Sequence, residues 1–196
     1  MAVFVTVGTT LFDDLIEVVN TKKFHIALFN LGYKKLFIQY GNGSIVPSIP
    51  DSPLEVDAFR YKTNLSSIFS ESCLVISHGG AGTCMEALNP PGKRKLIIVV
   101  NENLMNNHQE ELASALYEEK HAFVSRVKDL YEFISTGEQH PSLDCLKTNL
   151  WRDFDPKTLL GPSTTPQSVG LVPLYRGNVS HLIDFLNNLM DVPGNP

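Results

Sequence analysis

The strongest constraint on this chain is an alternation. Apolar runs at residues 3–7, 35–40, 54–59, 73–77, 95–100 and 121–125 recur between segments with helical spacing. The third run alternates apolar and polar residues, and the others are nearly continuous stretches of Val, Ile, Leu and Phe. Continuous apolar strands are buried on both faces, which requires helices above and below the sheet. The helical segments are residues 13–31, 64–72, a segment opening at Thr83, 106–120 and 127–134. Strands alternating with helices of this length form βαβ units and a parallel sheet. The expected fold is therefore α/β, a Rossmann-like parallel sheet with helices on both faces, over residues 1–135.

Length and composition narrow the rest. A chain of 196 residues with 43% hydrophobic content holds one ordinary domain with an appendage. A net charge of −5 excludes a nucleic-acid binder that works through bulk charge. Cys73, Cys84 and Cys145 are odd in number and lack metal-ligand spacing, so they read as reduced thiols. The longest strongly apolar run, residues 96–100, falls far short of the ~20 residues that span a bilayer. Met1-Ala2 leads into the first strand without a charged leader, so the expectation is a cytoplasmic chain. Residues 136–177 are rich in Pro, Ser, Thr and Gly and read as a linker or extension. Residues 178–196 hold an amphipathic helix, 179–190, and a tail. The stripe of Leu182, Ile183, Phe185, Leu186 and Leu189 either docks on its own domain or binds a partner.

Ligands of an open parallel sheet bind beyond the carboxyl ends of the strands. Two polar loops fall there. The first run is followed by Gly8 and Thr9, and the fourth by "SHGGAGT", which carries His78, Gly79, Gly80, Gly82 and Thr83. Glycine admits positive φ and close approach of a ligand, and a helix opening at Thr83 aims unpaired N–H groups at the site. The loops read as an anion cradle suited to a diphosphate, or else as a structural turn. No Lys-Ser/Thr follows the glycines, so this is no Walker A loop, and no G-x-G-x-x-G follows the first strand. Glu86 lies about one turn beyond Thr83, where a carboxylate can accept from a ribose diol or simply face solvent. Asn106, Asn107, His108 and Gln109 concentrate donors and acceptors at another helix start, more than a cap requires.

Together "VFVTVGTT", "VISHGGAGTCMEAL" and "NENLMNNHQEELA" resemble the cytosolic catalytic subunits of UDP-N-acetylglucosamine transferases of asparagine-linked glycosylation. Those subunits belong with the bacterial lipid II-forming GlcNAc-transferases in glycosyltransferase family 28. The resemblance covers about residues 3–133. It implies a domain equivalent to the C-terminal, donor-binding half of a GT-B enzyme. By that likeness Gly79, Gly80, Gly82 and Thr83 hold the diphosphate of UDP-GlcNAc, Glu86 holds the ribose, and Gly8 and Thr9 close the site. Asn107, His108 and Gln109 face the GlcNAc. "NPPGKRK" departs from the Gly-Lys-Pro usual before the fifth strand, which implies a changed local loop.

One Rossmann-like half is not a complete GT-B enzyme. The resemblance supplies the other half as a membrane-anchored, acceptor-binding subunit. That subunit brings dolichyl-diphosphate-GlcNAc and recruits this chain to the cytosolic face of the endoplasmic reticulum. The implied chemistry is inverting transfer without a cofactor. Asp13-Asp14 are adjacent in a helical pattern, a poor geometry for metal ligands, and no metal is expected. The general base is unassigned, with His108 a candidate by proximity and a partner residue the other. A non-catalytic nucleotide-sugar-binding or regulatory subunit would use the same loops. A nicotinamide oxidoreductase is disfavoured by the missing fingerprint, and a scaffold by the polar loops clustered at one end of the sheet.

Overall fold

The computed structural model describes residues 1–101, 108–138 and 155–175. Its strands are β1 (Ala2–Thr6), β2 (Lys35–Gln39), β3 (Glu55–Phe59), β4 (Ser72–Ser77), β5 (Lys95–Val100) and β6 (Phe123–Arg126). The helices are α1 (Asp13–Val19), α2 (Lys22–Leu31), α3 (Ser66–Glu71), α4 (Ala81–Leu88), α5 (His108–Glu118), α6 (Val127–Thr136) and α7 (Pro156–Leu160). All strand pairs are parallel, in the order β3-β2-β1-β4-β5-β6. The order reverses between β1 and β4, and a crevice opens there beyond the strand ends. The expected sheet is thus present with its expected strands.

Every residue of β1 and β5 is buried, as continuous apolar runs require. Helices α1, α2, α6 and α7 form one connected layer. Right-handed crossovers into β4, β5 and β6 put α3, α4 and α5 on the opposite face. Among the described residues no helix is long and apolar enough to cross a membrane.

Two elements differ from the sequence expectation. The helix expected over residues 13–31 is broken at Asn20-Thr21. Thr21 Oγ1 accepts the Phe24 N–H at 3.3 Å and donates to the Val18 carbonyl at 2.8 Å, so it caps α2 instead of continuing α1. A Thr hydroxyl competes with the helix ladder in an interior and serves it at an N-cap. The two helices keep one apolar register because both bury the same side, through Leu15, Ile16 and Val19 and then Phe24, Ala27 and Leu28. Helix α4 opens at Ala81, two residues before Thr83, with Gly80 as its N-cap.

Residues 155–175 pack on the domain. Asp155 caps α7 by accepting the Thr158 N–H at 3.0 Å, and Pro156 occupies the first turn, where its missing N–H leaves no gap. Leu159 and Leu160 are fully buried. The Tyr33 hydroxyl donates to the Leu160 carbonyl at 2.7 Å, and Lys95 Nζ donates to Gly161 O at 2.8 Å. Burial pushes the Lys95 amine down to about 8. The Val172 N–H then bonds to Lys120 O at 2.8 Å. The expected helix 179–190, Asn106, Asn107 and Cys145 lie outside the described residues.

Candidate functional site

The crevice between β1 and β4 is built from polar residues at the strand ends. Thr6 stands opposite Gln39 on one side and Ser77 on the other. The Thr6 hydroxyl donates to Gln39 Oε1 at 2.7 Å and accepts the Gly8 N–H at 3.0 Å. Its carbonyl accepts the His78 N–H at 3.2 Å and lies 3.4 Å from His78 Nδ1. The loops carrying Gly8 and His78 are therefore side by side. Gly8 has φ +61°, and an added Cβ would lie 3.0 Å from His78 Cε1, so both the backbone and the space demand glycine.

The His78 ring is buried, and desolvation lowers its pKa below 6.5. The ring is neutral at pH 7. A carbonyl can only accept, so Nδ1 carries the proton toward Thr6 O and Nε2 is left as an acceptor.

Gly79 has φ +82° and packs under Ile98 and Gln109. Gly80 does not need left-handed backbone, since its φ is −67°. It is glycine for a different reason: an added Cβ would fall 2.5 Å from His78 Nε2. No side chain caps α4, and the first helical hydrogen bond runs from Cys84 N to Gly80 O at 3.0 Å. The N–H groups of Ala81, Gly82 and Thr83 precede that bond and point out beyond the helix end. Nothing lies within 4 Å of where a Gly82 Cβ would be.

Glu86 is exposed and one helical step, i to i+4, from Gly82 on the outer face of α4. The inner face is Cys84, Ala87 and Leu88. Because α4 opens at Ala81, Glu86 stands in the second turn and not the first. The altered "NPPGKRK" loop is closed by buried Arg94, which donates to Ala87 O at 3.2 Å and Phe69 O at 2.6 Å. The Glu86 charge supports that guanidinium against desolvation.

Gln109 stands in the first turn of α5, with its Cβ 3.7 Å from the position of a Gly79 Cβ. Its Oε1 is buried and has no hydrogen-bond partner among the described residues. His108 opens α5, and its side chain, like all of Asn107, lies outside the described residues. The structure thus brings together Gly8, Thr9, His78, Gly79, Gly80 and Gln109, with the open end of α4 beside them. Sequence reading passed over Thr6 and Gln39. Their signal was a polar residue near the end of an apolar run, as in "VFVTV" and "KLFIQY".

A groove of about 670 Å³ lies elsewhere, between α1, α2 and α6, lined by Glu17, Lys23, Lys128, Tyr131 and Glu132 among others. No glycine lines it, and it lies away from the reversal of strand order, so the switch point remains the candidate site.

The glycosyltransferase family 28 C-terminal domain matches residues 2–142. The chain belongs to glycosyltransferase family 28. Within the family it resembles the UDP-N-acetylglucosamine transferase subunit ALG13 of Homo sapiens, with 48% identity over 122 residues. That match covers 62% of this chain and 11% of the human protein, so the chain spans about a tenth of that relative. The subunit of the same name from Yarrowia lipolytica is 36% identical over 144 residues, covering 71% of this chain and 72% of the relative. The crystal structure of Acinetobacter baumannii MurG aligns with 95% of this chain and 49% of its own, at 16% identity and a TM-score of 0.53. The family 28 chain therefore has the fold of the C-terminal half of a GT-B glycosyltransferase.

Proposed function

We propose that this chain is the donor-binding, catalytic subunit of a two-chain glycosyltransferase. It moves GlcNAc from UDP-GlcNAc to dolichyl-diphosphate-GlcNAc with inversion. The product is the β1,4-linked chitobiosyl lipid of asparagine-linked glycosylation. The observation that carries the reading is the meeting of two glycine loops at the switch point, beside a helix end with no side-chain cap. The names of the human and Yarrowia relatives support the donor and the need for a partner.

In this reading the N–H groups of residues 81–83 and the dipole of α4 hold the diphosphate, with Gly79, Gly80, Gly82 and Thr83 shaping the cradle. The same groups stabilise the departing UDP as its charge grows, so the bond to the sugar breaks without a metal. Gly8 and Thr9 close the cradle from the first loop. His78, neutral and an acceptor at Nε2, sets the spacing of the two loops and does not donate to phosphate. Glu86 accepts from the ribose hydroxyls. Gln109 Oε1 is a buried acceptor without a partner among the described residues, and a sugar hydroxyl or the acetamido N–H supplies its donor. Asn107 and His108 complete the GlcNAc side. The base that takes the acceptor's 4-hydroxyl proton comes from His108 or from the partner subunit.

The partner is a membrane-anchored subunit that binds the lipid acceptor and draws this chain to the cytosolic face of the endoplasmic reticulum. The test is transfer of radiolabelled GlcNAc to the lipid by this chain, by the partner and by the pair. Transfer by the pair alone is expected. Transfer by this chain alone would overturn the two-chain reading. No transfer by a pair that still binds UDP-GlcNAc would leave a nucleotide-sugar-binding subunit without catalysis.

A further inference from the structure

The first glycine loop is held by residues that lie outside the candidate site. The Asn42 N–H donates to Thr10 O at 3.0 Å, and Asn42 Nδ2 donates to Thr9 O at 2.9 Å. One residue of the loop after β2 thus takes two successive carbonyls of the loop after β1. Asn42 is itself fixed from behind. The Tyr61 hydroxyl donates to Asn42 Oδ1, which leaves Nδ2 facing Thr9. Arg60, which follows β3, donates from Nη1 to Gly41 O at 2.9 Å and to Gly43 O at 3.2 Å. Its guanidinium sits 5.0 Å from the centre of the Tyr40 ring. Asp13 closes the other side by accepting from Ser44 N at 3.0 Å and from Ser44 Oγ at 2.6 Å. The approach is close: an added Cβ on Gly41 would lie 2.5 Å from Thr10 O.

The orientation of a peptide plane is what an anion feels. A trans peptide points its C=O and N–H in opposite directions. With the Thr9 carbonyl drawn to Asn42, the N–H of the same peptide turns inward, where Thr10 N bonds to Val7 O at 3.1 Å. A loop free to rotate would present carbonyl oxygens to a phosphate and repel it. Asn42 keeps two of them turned away. Its bonds are solvent-exposed, so their contribution to fold stability is small, and their effect is on loop geometry.

We propose that Asn42 is a positioning residue for donor binding, with Tyr61 and Arg60 orienting it, and that it fixes loop 8–10 in the conformation that receives a nucleoside diphosphate. This rests on the reading of the switch point as the donor site.

The test uses the full chain and UDP as the probe, with affinity read by calorimetry. The variants are Asn42→Ala, Asn42→Asp and Tyr61→Phe. Tyr33→Phe serves as the control, since it removes a hydrogen bond to Leu160 O far from both loops. Asn42→Ala should weaken UDP roughly three- to tenfold, the worth of one or two neutral hydrogen bonds. Asn42→Asp should weaken it further, because a carboxylate then faces the Thr9 carbonyl. Tyr61→Phe should show a smaller loss, and Tyr33→Phe none. Amide exchange at Gly8, Thr9 and Thr10 should quicken in the Asn42 variants while β1 and β4 stay protected. A merely structural role would not produce that local pattern. Affinity unchanged in Asn42→Ala, or lost equally in Tyr33→Phe, overturns the proposal. A parent chain that does not bind UDP overturns the donor-site reading and this proposal with it, and the parent's own titration tells the two failures apart.

Discussion

Gly80 and Gly82 stand two residues apart and answer to different demands. A methyl group on Gly80 meets His78 Nε2, whereas one on Gly82 meets nothing within 4 Å. Gly82→Ala should therefore leave the fold intact or stabilise it, since Ala exceeds Gly in a helix by about 1 kcal/mol. The same change should reduce UDP affinity if the diphosphate lies over the first turn of α4. Gly80→Ala should lower both stability and affinity, because His78 must move. Thermal melts and UDP titrations of the two variants separate these cases. The imidazoles give a second expectation. Burial lowers the pKa of both His25 and His78 below 6.5. As pH falls through 6.5 the unfolded chain takes up protons that the folded chain refuses. Stability should therefore decline from neutral pH toward about pH 5.5, and urea unfolding across that window measures the slope. At this scale the glycines were legible, because a run of residues without side chains is itself a signal. Thr6, Gln39 and Asn42 were not. Each acts through a partner 33 positions or so away, at Gln39, Thr6 and Thr9, and a single sequence does not display such pairings.

At the level of elements, periodicity located the strands well because burial on both faces writes itself as an apolar run. Helix ends were less legible. Helices α1 and α2 share one apolar register, so only Asn20-Thr21 marked the break, and a Thr inside a helical pattern is ambiguous until its hydroxyl is seen to cap. The start of α4 was hidden for the opposite reason, since Gly82 is a poor helix former that the structure places in the first turn. Residues 155–175 show the limit of composition as a guide. Pro and Ser are common there, yet Leu159, Leu160, Val169 and Leu171 are buried. Leu160→Ala should cost about 2–5 kcal/mol of stability, as for other buried leucines. Chemical denaturation measures this. A change within the noise would mean that α7 does not belong to the cooperative core.

At the scale of the molecule, the described residues hold one Rossmann-like sheet. Its strand order is that of a complete Rossmann-like domain, and the MurG match uses only 49% of that longer chain. Among the described residues, the crevice at the switch point is walled by Gly8, His78, Gly80 and the open end of α4. In the proposed two-chain enzyme the partner supplies the second wall, which holds the acceptor against the donor sugar. The single parallel sheet was legible from the strand count, whereas the orientation of the loops was not. The central claim is that a nucleotide sugar occupies this crevice. Backbone amide chemical shifts of the full chain, followed during titration with UDP-GlcNAc, test it most directly. The expected result is a cluster of perturbations at residues 8–10, 78–83 and 109, with the groove at Lys23, Lys128 and Tyr131 unmoved. Perturbations centred on that groove, with the two glycine loops silent, would contradict the account.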